Sequence, residues 1–276
     1  MGNRYPQLSD FFLRVKKGKD VSVLEDIRFT APFKITSPFY DAGGRLQVML
    51  MSVSAGLMEG DTQRMQIDVG DGADLELLSQ SFEKIHKMDG GGSALRQINL
   101  NVGKAAALFY APLPTIPYAH SAFSSVSEIH LADVSSTVFY CDILAAGRVA
   151  RGECFAYKRY SNRVKAYRAG ELIYSDNTFF EPARMKMDGF CLLEGFTHSL
   201  NIFFSGPALG ENTTESIMEQ IHDVIHSWQA PAAGVAHAKG GASLTGNGDI
   251  CVRALANGSE PLISLEHEIK RLLCFP

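Results

Sequence analysis

The stretch Gln66-Ile67-Asp68-Val69-Gly70-Asp71-Gly72-Ala73-Asp74-Leu75-Glu76-Leu77-Leu78 decides the fold, because the chain carries it three times in altered form. Apolar residues alternate at first, the pattern breaks at glycines, and a second apolar run follows. Related patterns occupy residues 97–109 and 128–140. Alternation with a period of two indicates a strand with one buried face, so each unit is predicted to be strand, tight turn and strand. The first isoleucines of the three units are 31 residues apart, and they are Ile67, Ile98 and Ile129.

Repeats of this length are typical of units that cannot bury their apolar face alone and must stack on one another. We therefore predict a mainly β protein with a stacked-strand, β-solenoid-like scaffold. A weaker fourth copy begins at Val164, with a turn at Ala169–Gly170 and a second strand at Leu172–Tyr174. An antiparallel sandwich with evenly spaced hairpins is the alternative.

The pattern becomes helical only towards the end of the chain. Asn212-Thr213-Thr214-Glu215 has capping-box spacing, and apolar residues then recur every three or four positions. This predicts a helix at about 213–228, ended by Pro231. Residues 232–248, rich in Gly and Ala, are predicted to form a loop, and a second helix is expected to start at Ser259.

Length and composition indicate a globular protein. The chain has 276 residues, of which 46% are hydrophobic and 20% charged, so a sizeable core is possible. We expect one domain over residues 1–276. Within it, a β body is predicted at about 20–210, and a helical appendage with its loop at about 211–276.

Charge and cysteine content restrict the partners and the compartment. A formal net charge of −4 offers no chain-wide basic field, which argues against a nucleic-acid partner. No signal peptide and no apolar run of about 20 residues is present, so we expect no membrane association and a cytoplasmic location. The cysteines show no zinc spacing and are interpreted as reduced thiols. There are five of them, namely Cys141, Cys154, Cys191, Cys251 and Cys274.

Common catalytic signatures are missing. The sequence has no G-x-S-x-G, no G-x-x-x-x-G-K-[ST] and no H-E-x-x-H. Gly90-Gly91-Gly92 lacks the Lys and hydroxyl of a phosphate loop and is interpreted as a flexible connection. His222 and His226 are four residues apart on the first predicted helix, so metal binding is one hypothesis. The simpler hypothesis is that both histidines face solvent and bind no metal.

The acidic residues are a stronger lead, because several fall at turns or strand ends of the repeat. If stacked units turn them inward, they would line a wet passage that binds a borderline cation such as nickel weakly. Alternatively, each carboxylate forms an ion pair with Lys84, Arg148 or Arg151. The candidate carboxylates are Asp61, Glu83, Asp142 and Glu153. The glycines beside them are interpreted as turn requirements, and they are Gly56, Gly60, Gly147 and Gly152.

These segments resemble a known family. Ser79-Gln80-Ser81-Phe82-Glu83-Lys84-Ile85-His86 is similar to the T/S-Q-S-x-x-K-I-Y/H segment of the UreD/UreH family of urease accessory proteins. Residues 145–155, which contain Gly147, Arg148 and Gly152, resemble the family's G-R-x-A-x-G-E-x-F. The resemblance covers about residues 31–180. Two departures occur: residues 54–61 lack the Pro-Gly-Gly of many members, and Asp142 stands where others have Glu.

The resemblance implies a stacked β scaffold with a non-catalytic role in urease maturation. Such a protein binds UreF directly and the GTPase UreG through the complex, and it helps to insert nickel into apo-urease. GTP hydrolysis then belongs to UreG, and no cofactor is tightly bound. Nickel is expected to pass in transit through an internal tunnel, with Asp61, Glu83, Asp142 and Glu153 as metal-contacting candidates.

A different class of function is the alternative that the residues alone leave open. A β-solenoid hydrolase could act on carbohydrate with paired carboxylates as acid and base. Sugar sites usually present aromatic platforms, whereas the single tryptophan, Trp228, lies on a predicted helix. Fold alone says little about function, so this alternative rests on the carboxylates.

Overall fold

The computed structural model describes residues 8–207, 211–230 and 238–274, which together form eighteen strands and two α-helices. The strands build two sheets around a shared apolar core. In chain order they are β1 (Leu8–Lys17), β2 (Ser22–Phe29), β3 (Phe33–Ile35), β4 (Phe39–Tyr40), β5 (Leu46–Ser52), β6 (Thr62–Val69), β7 (Asp74–Ser79), β8 (Glu83–Ile85), β9 (Ala94–Val102), β10 (Ala107–Tyr110), β11 (Thr115–Pro117), β12 (Ala122–Leu131), β13 (Thr137–Ala145), β14 (Arg159–Arg168), β15 (Glu171–Phe180), β16 (His198–Ser205), β17 (Lys239–Leu244) and β18 (Ile250–Ala256). The helices are α1 (Glu211–Gln229) and α2 (Ser259–Cys274), and a single 3-10 turn covers Val149–Arg151.

The chain winds between the two sheets as a β-solenoid of about four turns. The first sheet has the order β15-β14-β12-β9-β6-β1-β2, and the second has the order β17-β18-β16-β13-β10-β7-β5-β3, with β4, β8 and β11 paired beside it. Neighbours are parallel from β1 to β14 in the first sheet and from β5 to β13 in the second. Antiparallel strands flank both stacks. The predicted mainly β, solenoid-like fold is therefore confirmed.

The register differs slightly from the even repeat that the sequence predicts. Ile67 lies opposite Leu100 rather than Ile98, and Leu100 in turn lies opposite Ile129. Each displacement is two residues. Because side chains alternate between the faces of a strand, a shift of two leaves the same residues facing inward. Ile67, Leu100 and Ile129 are all fully buried in the core between the sheets.

The predicted fourth copy is only half a coil. Val164 lies on β14, which continues the parallel stack, but β15 returns beside it in the same sheet. The cause is the turn between them, since Ala169 and Gly170 have φ values of 50° and 85°. Positive φ at both central residues gives a two-residue turn that suits a tight antiparallel hairpin. The predicted turn at Ala169–Gly170 and strand at Leu172–Tyr174 are thus confirmed, but this strand stays in the first sheet, whereas β7, β10 and β13 of the three earlier units belong to the second.

The C-terminal predictions are mostly confirmed. The helices α1 and α2 match those expected at about 213–228 and from Ser259. Residues 231–237, including Pro231, lie outside the described residues. The predicted loop at 232–248 is wrong in part, because β17 forms within it and pairs with β18. Its sequence, Lys239-Gly240-Gly241-Ala242-Ser243-Leu244, shows no clear apolar alternation, since it is an outer strand with little burial.

The β body extends beyond its predicted limits of about 20–210. The strand β1 precedes them, and its buried residues Phe11, Leu13 and Val15 alternate inward. At the other end, β17 and β18 belong to the second sheet. The helices pack on the outer face of that sheet, where Ile225 and Leu265 join its apolar cluster. No helix in the described part of the chain is long and apolar enough to cross a membrane.

Two glycines allow close stacking on a third side of each coil, formed by the short strands β8 and β11 and the residues beside them. Gly56 has φ +137°, and a Cβ there would lie 2.2 Å from the carbonyl oxygen of Lys84. Gly147 has φ +138°, and its Cβ would lie 2.5 Å from the carbonyl oxygen of Glu153. Any other residue would clash with backbone at these two positions. Gly60 also has a positive φ, and so has Gly152.

We expect Gly147→Ala to lower the free energy of unfolding by about 3 kcal/mol, because the methyl group meets backbone as well as an unfavourable φ. Gly170→Ala is the matched control. Its φ is +85° but nothing lies within 4 Å of the added Cβ, so the expected loss is only about 1 kcal/mol. Urea unfolding of the three proteins measures both values. Equal losses in the two variants would show that close stacking at Gly147 contributes nothing.

Candidate functional site

One row of inward-facing residues in the first sheet is polar, although the rows beside it are largely apolar. Its members lie opposite one another on five neighbouring parallel strands. They are Ser9, Gln63, Arg96, Ser125 and Asn162. We call this row, together with the side chains of Glu83, Asp142 and Asn201 that bond to it or to each other, the polar layer. Polar side chains buried this deeply need hydrogen-bond partners within the protein.

Arg96 occupies the middle of the polar layer and binds Glu83. Its Nε and Nη2 atoms donate to Oε1 of Gln63 at 2.8 and 2.6 Å, and Nη2 also donates to Glu83. The side chains of Arg96 and Glu83 are only 12% and 21% exposed. This charge pair is therefore largely buried, and buried ion pairs are screened less than those at the surface.

A cavity of about 80 Å³ adjoins the pair of Arg96 and Glu83. It is also lined by Tyr110 and by residues 79–82, the segment that leads into β8. A space of that size holds a few water molecules, and polar groups line part of it. The middle of the polar layer thus adjoins a small cavity beside Glu83 that has room for water.

Asp142 joins the two sheets at the β14 end of the polar layer. Asn162 on β14 donates to its Oδ1 at 3.3 Å, and Asn201 on β16 donates to its Oδ2 at 3.1 Å. Burial raises the pKa of Asp142 to about 7, even though the hydrogen bond from Asn201 favours the charged form. The carboxyl group is therefore poised between its neutral and charged forms near neutral pH.

A groove of about 520 Å³ opens beside Asn201, between β15 and β18. Asp176 and Arg253 form an ion pair on its wall. The Asp176 carboxylate is 11% exposed, whereas the Arg253 side chain is 65% exposed and can reorient in solvent. The end of the polar layer at Asp142 is therefore next to a solvent-accessible surface.

The other two predicted carboxylates lie outside the polar layer. Asp61 accepts a hydrogen bond from the backbone N–H of Met58 at 2.8 Å and so closes a turn. Glu153 accepts from Nε of Arg148 at 2.8 Å, and this bond lowers the pKa of Glu153. The structure thus brings Glu83 and Asp142 into one layer but not Asp61 or Glu153.

The alternative that each carboxylate forms an ion pair is correct for Glu153, which pairs with Arg148 as predicted. Glu83 also forms an ion pair, but its partner is Arg96, which was not among the predicted cations. Lys84 and Arg151, the other two cations proposed as partners, are both exposed. Arg148 also lies over the ring of Tyr118, 4.2 Å from its centroid.

In the described part of the chain, neither the two histidines nor the glycine-rich loop forms a metal or phosphate site. His222 and His226 are exposed on α1, and the described residues contain no group of three or more potential metal ligands. The backbone N–H groups of Gly90 and Gly92 donate to the Glu59 carboxylate at 2.9 and 2.5 Å, so that loop binds an internal anion. The cysteines with described side chains, Cys141, Cys154, Cys191 and Cys251, are free thiols.

Sequence reasoning missed most of the polar layer. A signal was present, because extending each repeat three residues towards the N-terminus places Gln63 and Arg96 at inward positions of their alternating strands. The partners could not be found in this way. Asn201 lies 59 residues from Asp142 and reaches it only through the antiparallel pairing of β13 and β16.

The pKa of Asp142 has a consequence for stability. In the unfolded chain an aspartate titrates near 3.9, so wild-type protein should lose stability relative to Asp142→Asn as pH rises from about 4 to about 7. Above that range the difference should stay constant, with an upper limit of about 4 kcal/mol for three pKa units. Urea unfolding of both proteins across this range measures it. A difference independent of pH would show that Asp142 titrates normally.

Comparison with known proteins agrees with the resemblance found in the motifs and extends it along the chain. The sequence profile of the family described as UreD urease accessory protein matches residues 9–274. A urease accessory protein UreH of Helicobacter pylori is 36% identical over 98% of this chain and 97% of its own length. A urease accessory protein UreD of Acetivibrio thermocellus is 35% identical over 99% of this chain and 100% of its own length. The chain therefore belongs to the UreD family of urease accessory proteins.

Proposed function

We propose that this protein is a non-catalytic urease maturation factor that helps to insert nickel into apo-urease. Membership of the family supports a role in urease maturation. The observation that carries the proposal of metal transit is the polar layer, which places two carboxylates inside a β-solenoid whose core is otherwise mostly apolar. A buried polar row costs stability compared with apolar packing, so a functional reason for it is expected.

Partners follow from the resemblance of the motifs. We expect the scaffold to bind UreF directly and the GTPase UreG through that complex, which then docks on apo-urease. The chain itself lacks a phosphate loop, and its one glycine-rich loop binds Glu59. GTP hydrolysis is therefore assigned to UreG. This arrangement makes the present protein an adaptor between the other components and urease.

The chemistry of the polar layer suits a cation in transit. Asp142 offers a carboxylate, and Asn162 and Asn201 can turn their carboxamides to offer oxygen atoms instead of N–H groups. Oxygen ligands bind nickel more weakly than imidazole or thiolate ligands do, so the ion is released again. Arrival of the ion would displace the proton that Asp142 carries in part at neutral pH. Nickel is thus the cargo of this protein.

Nickel content of urease tests the proposal. We expect deletion of this protein to leave urease abundant but poor in nickel. Asp142→Asn keeps the size of the side chain but removes the charge, and it should lower nickel per urease active site by about tenfold, while the accessory complex still assembles. Metal analysis of purified urease and a pull-down of the complex provide the two readouts. Glu153→Gln is the matched control, because Glu153 pairs with Arg148 outside the polar layer, and it should change nickel content less than twofold, roughly.

Each result has a clear meaning. Normal nickel in urease from the deletion strain would overturn the maturation role. Wild-type nickel content with Asp142→Asn would remove Asp142 from the route. Loss of complex assembly in that variant would reassign Asp142 to structure.

A further inference from the structure

Arg96 is the one residue of the polar layer whose charge opposes the proposed cargo. Its guanidinium group is always protonated and has no acceptor atom to offer a cation. It lies on β9, between Gln63 on β6 and Ser125 on β12, and so occupies the middle of the row. Glu83 bonds to Arg96 itself, whereas Asp142 bonds to Asn162, which lies two strands away from Arg96 in the row.

The two carboxylates of the polar layer consequently differ in their availability to a cation. Glu83 is bound by Arg96. A metal ion that approached Glu83 would therefore be repelled by the guanidinium charge, which solvent screens only weakly at this depth. Asp142 is bound by two neutral carboxamides, and each of these can rotate to present its oxygen. A cation can therefore occupy Asp142 without breaking an ion pair, but it cannot occupy Glu83 in that way.

We propose that Arg96 is an electrostatic gate that keeps divalent cations away from Glu83 until its ion pair with Glu83 is broken. The inference rests on the proposed function, since the cargo is the nickel ion. Two features of the site support it. Arg96 is held by three hydrogen bonds to Gln63 and Glu83, and it lines the cavity beside Glu83.

The gate assigns a role to Gln63 as well. Its Oε1 atom accepts two hydrogen bonds from Arg96 and holds the guanidinium in the plane that faces Glu83. Gln63 is 4% exposed, so solvent does not compete for these bonds. It is a positioning residue for the gate, because it contacts Arg96 rather than Glu83.

Nickel binding to the isolated full-length protein tests the gate. We expect Arg96→Met, which keeps most of the side-chain volume without the charge, to bind Ni²⁺ at least about tenfold more tightly than wild type in calorimetry. Arg96→Lys keeps the charge and should bind as weakly as wild type. The double variant Arg96→Met with Glu83→Gln should return to wild-type affinity, since the freed carboxylate is removed. Crystals soaked in nickel should show anomalous scattering beside Glu83 in Arg96→Met alone.

The possible results separate the gate from a general effect of charge. Unchanged affinity in a folded Arg96→Met protein would overturn the gate, and so would tight binding that persists in the double variant. If Arg96→Met does not fold, Arg96→Gln carries the same expectation, because its carboxamide can still bond to Gln63. Arg148→Gln is the control outside the polar layer and should leave nickel affinity unchanged.

Failure of the gate and failure of the proposed function are distinguishable. If Arg96→Met binds no extra nickel while Asp142→Asn still impairs nickel loading of urease, then the gate is wrong and the transit route stands. If Arg96→Met gains a nickel site while the deletion strain loads urease normally, then the gate exists but serves no role in urease maturation.

Discussion

The rest of the structure depends on the parallel stacking of coils, in which each inward residue must lie against its equivalents in the coils above and below. Ile67, Leu100 and Ile129 form one such row, and the apolar core consists of rows of this kind. A coil cannot bury its apolar face by itself, so the coils stabilise one another. The same geometry that aligns apolar residues also aligns any polar residue placed at an inward position. A polar layer through the interior is therefore a direct product of register.

The polar layer is also where the fold departs from the packing that would stabilise it most. Apolar residues at Gln63, Arg96 and Asn162 would extend the neighbouring rows without the need for hydrogen bonds. Instead, the Arg96 guanidinium donates to Gln63 and Glu83, and the Asn162 carboxamide donates to Asp142 on the second sheet. Departures from local rules tend to mark functional sites. Here the departure runs along the stack of coils.

Sequence patterns could predict the fold because period-two alternation and the 31-residue spacing are local properties of the chain. They could not predict that β15 stays in the first sheet, which depended on φ at Ala169, or that β17 is a strand, because it buries little. For the site, the carboxylates Glu83 and Asp142 were visible because each follows the second apolar run of a repeat unit, although Asp142 lies within β13 rather than at its end. Their partners Arg96 and Asn201 were not, since these contacts depend on register between strands.

The antiparallel strands that flank the parallel stacks have an evolutionary consequence. Many solenoid proteins gain or lose whole coils, because each coil ends in a parallel edge that the next can extend. Here β2 and β15 terminate the first sheet, and β3 and β17 terminate the second, so a duplicated coil would have no free parallel edge to join. The flanking strands therefore prevent the stack, and the polar layer within it, from being lengthened at either end. Relatives with only about a third of their residues in common still align with this chain from end to end.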